Sequence, residues 1–208
     1  MISILLLGLA AGTSHVLTGP DHVAALAPFS VEAQRRAWTV GLRWGIGHAL
    51  GIVAVALAFV FAADWLDPKL LDAAGDYLVG AVLAAVGLWG LWHARRDRVF
   101  DAETRAHRHV HATAALSIGT LHGLVGTGAT LAVLPAIGMH TLGESIVYLG
   151  GFAAGTIAAM SAVAGALGVL APRDDVGTAY RRVFQVASAV SLALGLLWLG
   201  HALLYPRR

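Results

Sequence analysis

The feature that most constrains this chain is its first apolar run, Ile2–Phe29, which polar and charged residues interrupt near its middle. The run is long enough to cross a bilayer as a helix, which takes about 20 residues. Within it, the stretch His15–Pro28 holds two histidines, one aspartate and a Gly-Pro pair. An ionised aspartate at bilayer depth costs roughly 2.5–3.5 kcal/mol. A chain tolerates this cost when the carboxylate faces a partner, water or a cation, so the stretch indicates a site.

The Gly-Pro pair, Gly19 and Pro20, predicts a break in the first helix. Proline has no N–H to donate to the carbonyl four residues earlier, so the helix opens or kinks there. Many transporters build ion sites from broken helices at the midplane. His15, Asp21 and His22 flank the break and offer imidazole and carboxylate ligands suited to a divalent first-row metal. The alternative is structural: the histidines hydrogen-bond between helices, and Asp21 pairs with an arginine or caps a half-helix.

The composition places the chain in a membrane. Of its 208 residues, 58% are hydrophobic and 12% are charged, whereas soluble domains carry about 25% charged residues. The length allows about six spans with short loops. The chain has no cysteine, which excludes disulfides, thiolate metal sites and thiol redox chemistry. In a membrane protein, the small excess of basic residues indicates on which side of the membrane each loop lies, and it does not indicate nucleic-acid binding.

The sequence predicts an all-α integral membrane protein with six transmembrane helices. Their predicted bounds are about Ile2–Phe29, Trp38–Ala63, Tyr77–Ala94, Ala112–Ile137, Leu142–Leu170 and Val183–Tyr205. Most arginines fall in the first, third and fifth loops, so the positive-inside rule predicts both termini outside a plasma or inner membrane. The segment Met1–Ala11 lacks a basic start and a cleavage site, so we interpret it as part of the first helix and not as a signal peptide.

An internal repeat relates the two halves of the chain. The stretch His15–Pro28 aligns with His122–Pro135 at an offset of 107, and the end of helix 3 aligns with the end of helix 6 at an offset of 108, with His93 on His201. Three helices per half require the second half to be inverted. We therefore predict a single transmembrane domain, 1–208, with repeat 1 at about 1–94 and repeat 2 at about 112–205, and a site between the halves near the midplane.

Two further histidines are candidates for this site. His48 lies in helix 2 between Gly47 and Ala49, and small neighbours allow another helix to approach closely. An interhelical hydrogen bond is the alternative role for it. His122 lies opposite His15 by the repeat. The predicted metal ligands are His15, Asp21, His22, His48 and His122. His107, His109 and His111 alternate in the third loop, where they either gather a metal ion or have no role.

Three motifs together resemble the nickel/cobalt permease superfamily, in particular its short UreH-like branch. They are HVLTGPDH (His15–His22), RWGIGHALG (Arg43–Gly51) and LHGLVGTGA (Leu121–Ala129). That superfamily has a His-x4-Asp-His signature in an early helix and a Gly-His motif in the next; here five residues separate His15 from Asp21. Members move Ni²⁺ or Co²⁺, and the signature residues are implicated in metal recognition.

The resemblance implies transmembrane transport of a divalent transition-metal cation, Ni²⁺ first and Co²⁺ next, as substrate and without an organic cofactor. The protein is then a transporter and not an enzyme. Two alternatives from other classes are an intramembrane zinc-dependent hydrolase and a sulfite-type anion exporter, in which the histidines and Arg43 bind an oxyanion. The expected partners are a divalent metal ion and the lipid bilayer, without nucleic acid, and a homo-oligomer is compatible with the sequence.

Overall fold

The computed structural model describes residues 1–62, 68–95, 108–125, 132, 134–172 and 178–204, and the regular secondary structure of these residues is entirely helical. The first half contains α1 (Ile2–Thr18), α2 (Pro20–Ala33), a 3-10 turn (Gln34–Arg36), α3 (Ala37–Ala62) and α4 (Pro68–Arg95). The second half contains α5 (Arg108–Val125), α6 (Leu142–Leu170) and α7 (Thr178–Leu204). The all-α prediction is confirmed for the described part of the chain.

The first predicted helix is divided as the Gly-Pro pair indicated, since α1 ends at Thr18 and α2 begins at Pro20. The fifth predicted helix, Leu142–Leu170, has the predicted bounds. α4 begins at Pro68, earlier than predicted, and proline is well tolerated in the first turn of a helix because its missing N–H has no intrahelical partner there. α7 begins at Thr178, also earlier than predicted.

The fourth predicted helix, Ala112–Ile137, corresponds to more than one described segment. α5 covers its first part up to Val125, and residues 134–137 are helical. Residues 126–131 and 133, which hold most of its Gly-Thr motif, lie outside the described residues.

Four helical segments of the described chain are long and apolar enough to cross a membrane. They are Pro20–Ala56, Gly75–Arg95, Leu142–Leu170 and Thr178–Leu204. The first of them runs from α2 through the 3-10 turn into α3, and α1 is a shorter apolar helix that precedes it. These lengths agree with the prediction of a membrane protein, but the count of six spans is not confirmed by them.

α2 is the central element of the bundle. It contacts α3, α4, α6 and α7, while α1 packs on α6, α3 packs on both α5 and α6, and α4 packs on α7. Because neighbours surround it, α2 is buried over most of its length, including its polar residues Asp21, His22 and Ser30. The main apolar core lies around it and contains Val16, Leu26, Phe29, Trp44, Leu83 and Met160.

Close helix packing brings the polar parts of the first helices to the centre. Gly12 of α1 lies against the backbone carbonyl of Phe152 in α6, and Gly123 of α5 lies against the carbonyl of His48 in α3. Any side chain at these glycines would collide with backbone and not with a flexible side chain. In a bilayer the hydrophobic effect does not drive helices together, so their association depends on close packing. Small residues at such crossings allow the two backbones to approach closely.

The variant Gly12→Ala should destabilise the protein by about 1–3 kcal/mol, the usual cost of overpacking a well-packed interior. The added methyl group would meet the Phe152 carbonyl and force α1 away from α6. Thermal unfolding in detergent measures the effect. Gly150→Ala in α6 is the matched control, because a Cβ there has nothing within 4 Å. Equal unfolding temperatures for the two variants would show that the α1–α6 crossing is looser than described.

Candidate metal centre

The break between α1 and α2 gives the site its shape. Gly19 has extended backbone angles (φ −86°, ψ 102°), and its N–H donates to the carbonyl of His15 at 3.1 Å, which closes the last turn of α1. Pro20 then occupies the first turn of α2, where a missing N–H costs nothing. Asp21 and His22 follow in that same turn. The positive end of a helix dipole favours a carboxylate at this place.

The structure brings all five predicted ligands together from four helices. His15 comes from α1, Asp21 and His22 from α2, His48 from α3 and His122 from α5. His22, His48 and His122 are at most 1% exposed and Asp21 is 9% exposed, whereas His15 is only partly buried. His15 is therefore the least buried of the five predicted ligands.

Three imidazoles form the first ligand group of the cluster. One nitrogen from each of His15, His22 and His48 lies within 4.8 Å of the others, and the Nε2 atoms of His15 and His48 are 3.3 Å apart. The ring of His22 stands nearly perpendicular to those of His15 and His48, at centroid distances of 4.5 and 5.2 Å. Zinc-type ions bind imidazole nitrogen at about 2.0–2.1 Å, so small side-chain shifts allow all three to face one ion.

Asp21 joins a second ligand group with His22 and His122. The Nε2 of His122 lies 2.9 Å from Oδ2 of Asp21 and donates to it when it carries the proton. The Nδ1 of His22 lies 3.1 Å from Oδ1 without the geometry of a hydrogen bond. His22 thus belongs to both groups and connects them.

Several ring nitrogens of the cluster have no hydrogen-bond partner among the described residues. They are both nitrogens of His22 and the Nδ1 atoms of His48 and His122. Buried polar atoms without partners are costly and uncommon in native proteins. Unpartnered ring nitrogens favour metal ligation, in which a lone pair faces the ion, over a purely structural role, in which hydrogen bonds would pair them.

Aromatic side chains surround the cluster and lower the polarity around it. Phe152 stacks against His15 at a centroid distance of 5.8 Å, and Trp44 lies 6.4 Å from His122. Neither residue is among the predicted ligands. Trp44 precedes His48 by four residues in α3, so the helical period could have placed both on one face. Phe152 carries no comparable local signal.

His93 and His201 are not members of either ligand group. His93 stacks on Trp89, at 5.0 Å, and His201 is exposed in the last turn of α7. Arg43 is exposed and belongs to neither ligand group. His107 lies outside the described residues, and only the helical backbone of His109 and His111 is described.

Two curated plant proteins are similar to the chain over most of its length. Chloroplast protein FOR GROWTH AND FERTILITY 1 of Arabidopsis thaliana is 30% identical over 207 residues, which cover 91% of the chain and 56% of that protein. Chloroplast protein FOR GROWTH AND FERTILITY 2 of the same plant is 29% identical over 201 residues, covering 91% and 54%. The chain therefore spans about half the length of the curated relatives it matches. No protein-family model and no solved structure matches it significantly.

These comparisons overturn the resemblance to nickel/cobalt permeases. The similar proteins are named for the chloroplast, growth and fertility, and their names state no metal and no transport. The resemblance and the Ni²⁺ or Co²⁺ transport that it implied are therefore wrong, and neither the zinc hydrolase nor the sulfite-type exporter gains support. The relatives and the apolar helices are compatible with membrane association, but the predicted plasma or inner membrane location is not confirmed.

Proposed function

We propose that this chain is a multi-pass membrane protein that binds one divalent transition-metal ion at the cluster of His15, Asp21, His22, His48 and His122. The observation that carries the proposal is the convergence of these side chains, from four helices, with unpartnered ring nitrogens at a buried point. Imidazole ligands suit zinc, copper, iron and nickel, whereas Mg²⁺ and Ca²⁺ prefer oxygen. The donor set therefore defines the class of ion without fixing its identity.

The charge of the cluster argues for one ion and not two. The two ligand groups share His22, and Asp21 is the only carboxylate in either group. Two divalent ions would bring four positive charges against one negative charge at a site that little water reaches, where charges repel strongly. One ion that draws ligands from both groups is compensated better.

An inverted-repeat architecture of six spans belongs to this proposal, and matched helix crossings support it. Gly12 of α1 approaches the carbonyl of Phe152 in α6, and Gly119 of α5 approaches the carbonyl of Trp44 in α3. Gly119 follows Gly12 by 107 positions, and Phe152 follows Trp44 by 108. The same offsets relate the two halves in the sequence alignment.

A second pair of crossings follows the same rule. Gly155 of α6 approaches the carbonyl of Leu9 in α1, and Gly47 of α3 approaches the carbonyl of Leu116 in α5. The offsets are 108 for the glycines and 107 for the leucines. Two pairs of equivalent crossings at the offsets of the sequence alignment support a duplication. The duplication would place His15 and His122 in equivalent positions on either side of the site.

Metal binding to the purified protein tests the proposal. After removal of metal with a chelator, the protein is dialysed against Co²⁺, Zn²⁺ or Mg²⁺ and analysed for bound metal. We expect one Co²⁺ or Zn²⁺ per chain and no retained Mg²⁺. A ligand that binds only the folded state at 100 times its Kd stabilises it by about 2.7 kcal/mol, so the unfolding temperature should also rise. Retention of no transition metal would make the cluster a structural hydrogen-bond network, and two ions per chain would contradict the single site.

A further inference from the structure

A surface groove runs between α4 and α7 at the end of the bundle where α4 ends and α7 begins. Its volume is about 470 Å³, and it is lined by Leu91, Arg95, Arg182, Gln185, Val186 and Ala189. The two helices run antiparallel, since Tyr77 donates to the carbonyl of Ala202 and Ser191 donates to that of Leu83. The last turn of α4 therefore lies beside the first turns of α7.

Two guanidinium groups stand at the outer end of this groove. Arg95 is the last residue of α4, and Arg182 lies in the second turn of α7. Both are exposed, and the ion pairs among the described residues include neither of them. The amide of Gln185 lies in the same lining. Arginine forks bind phosphate through paired hydrogen bonds, so this end of the groove suits a phosphate group.

The inner part of the groove is apolar and continues along the outside of the bundle. Leu91, Val186 and Ala189 line it, and Leu88 and Val190 extend the apolar surface towards the middle of the helices, where Leu88 is 62% exposed. Arg95 and Leu88 are seven residues apart, about 10 Å along a helix. This is the spacing between a lipid headgroup and the upper part of its acyl chains.

We propose that the α4–α7 groove binds one anionic phospholipid, with Arg95 and Arg182 on its phosphate and the acyl chains on the apolar wall. A free phosphate would use the arginines but not the wall, and a zwitterionic lipid would offer less net charge to two guanidinium groups. Basic pockets between membrane helices bind anionic headgroups in this way. The proposal rests on the membrane placement proposed above but not on the metal site.

Lipid binding to the purified chain tests this inference. The protein in neutral detergent is titrated with phosphatidylglycerol, phosphatidylcholine or inorganic phosphate, and bound lipid is counted by native mass spectrometry. The wild type should retain one phosphatidylglycerol in preference to phosphatidylcholine. The double variant Arg95→Gln, Arg182→Gln should weaken that binding about 30-fold, from the usual contribution of two basic residues near anionic lipid.

The matched control is the double variant Arg35→Gln, Arg36→Gln. These exposed arginines lie at the same end of the bundle, because the neighbouring Gln34 donates to the carbonyl of Pro172 between α6 and α7. The control should bind phosphatidylglycerol like the wild type. Equal losses of lipid binding in both variants would indicate diffuse charge attraction, and competition by inorganic phosphate at equal concentration would indicate a free-anion site. The absence of any preference for phosphatidylglycerol would mean that no lipid site exists. Each of these results overturns the proposal.

Metal binding measured on the same samples separates this proposal from the function proposed above. Arg95 and Arg182 do not belong to either ligand group, so their double variant should keep the wild-type metal stoichiometry. A wild type that binds metal but shows no lipid preference refutes the lipid site alone. One that retains phosphatidylglycerol but no metal refutes the metal site alone.

Discussion

His22→Ala should weaken the binding of Co²⁺ and Zn²⁺ by more than about 100-fold. His22 is the one residue common to both ligand groups, and both of its nitrogens lack hydrogen-bond partners among the described residues. Its loss would leave His15 and His48 on one side and Asp21 and His122 on the other. Loss of a residue that only supports a ligand costs 10–100-fold in metal affinity, so loss of a shared ligand should cost more. Equilibrium dialysis with metal analysis measures the change.

His201→Ala is the control for this variant. It removes an exposed imidazole from the last turn of α7, outside both ligand groups, and should leave affinity unchanged. Because His22 is buried, its replacement also leaves a cavity. Thermal unfolding of the metal-free forms shows whether the variant is folded before binding is compared. A folded His22→Ala protein with wild-type affinity would contradict the site as described.

The residues of the site could be predicted because each has a local reason to be unusual. An aspartate within an apolar run is costly, and Pro20 interrupts a helix wherever it occurs, so Asp21 and His22 are conspicuous. His48 is flanked by small residues, which indicates a close helix crossing, and the structure places Gly123 against its carbonyl. Phe152 could not be found in this way, because an aromatic residue in an apolar helix resembles many others.

The helix ends and the family were harder to predict, for different reasons. The predicted third helix begins at Tyr77, which leaves Asp72 and Asp76 in the second loop, yet α4 begins at Pro68 and contains both of them. The family resemblance rested on motifs of about thirty residues around His15, His48 and His122. Histidines and an aspartate beside a helix break could bind a metal ion in any membrane bundle. Such motifs therefore indicate a type of site and are weak evidence for a particular family.

Asp21→Asn should weaken metal binding by about 1,000-fold, but without destabilising the metal-free protein. Asp21 is the only carboxylate in the two ligand groups and the source of their negative charge. Opposite unit charges 4 Å apart attract by about 4 kcal/mol at an effective dielectric constant of about 20, and each tenfold in affinity corresponds to about 1.4 kcal/mol. Asparagine keeps an oxygen that accepts from Nε2 of His122, which lies 2.9 Å from Oδ2 in the native protein.

Asp21→Asn is expected to change metal affinity but not the stability of the metal-free protein. Measuring both quantities therefore distinguishes the proposed site from a structural network. A buried charge is expensive to desolvate. Asparagine removes that cost and keeps an oxygen within hydrogen-bond reach of Nε2 of His122. If Asp21 serves metal binding, the asparagine variant without metal should unfold at the wild-type temperature or above it, and the rise in unfolding temperature with Zn²⁺ should largely disappear. If Asp21 instead holds the helices together, Asp21→Asn should lower the unfolding temperature of the metal-free protein and leave the response to Zn²⁺ unchanged.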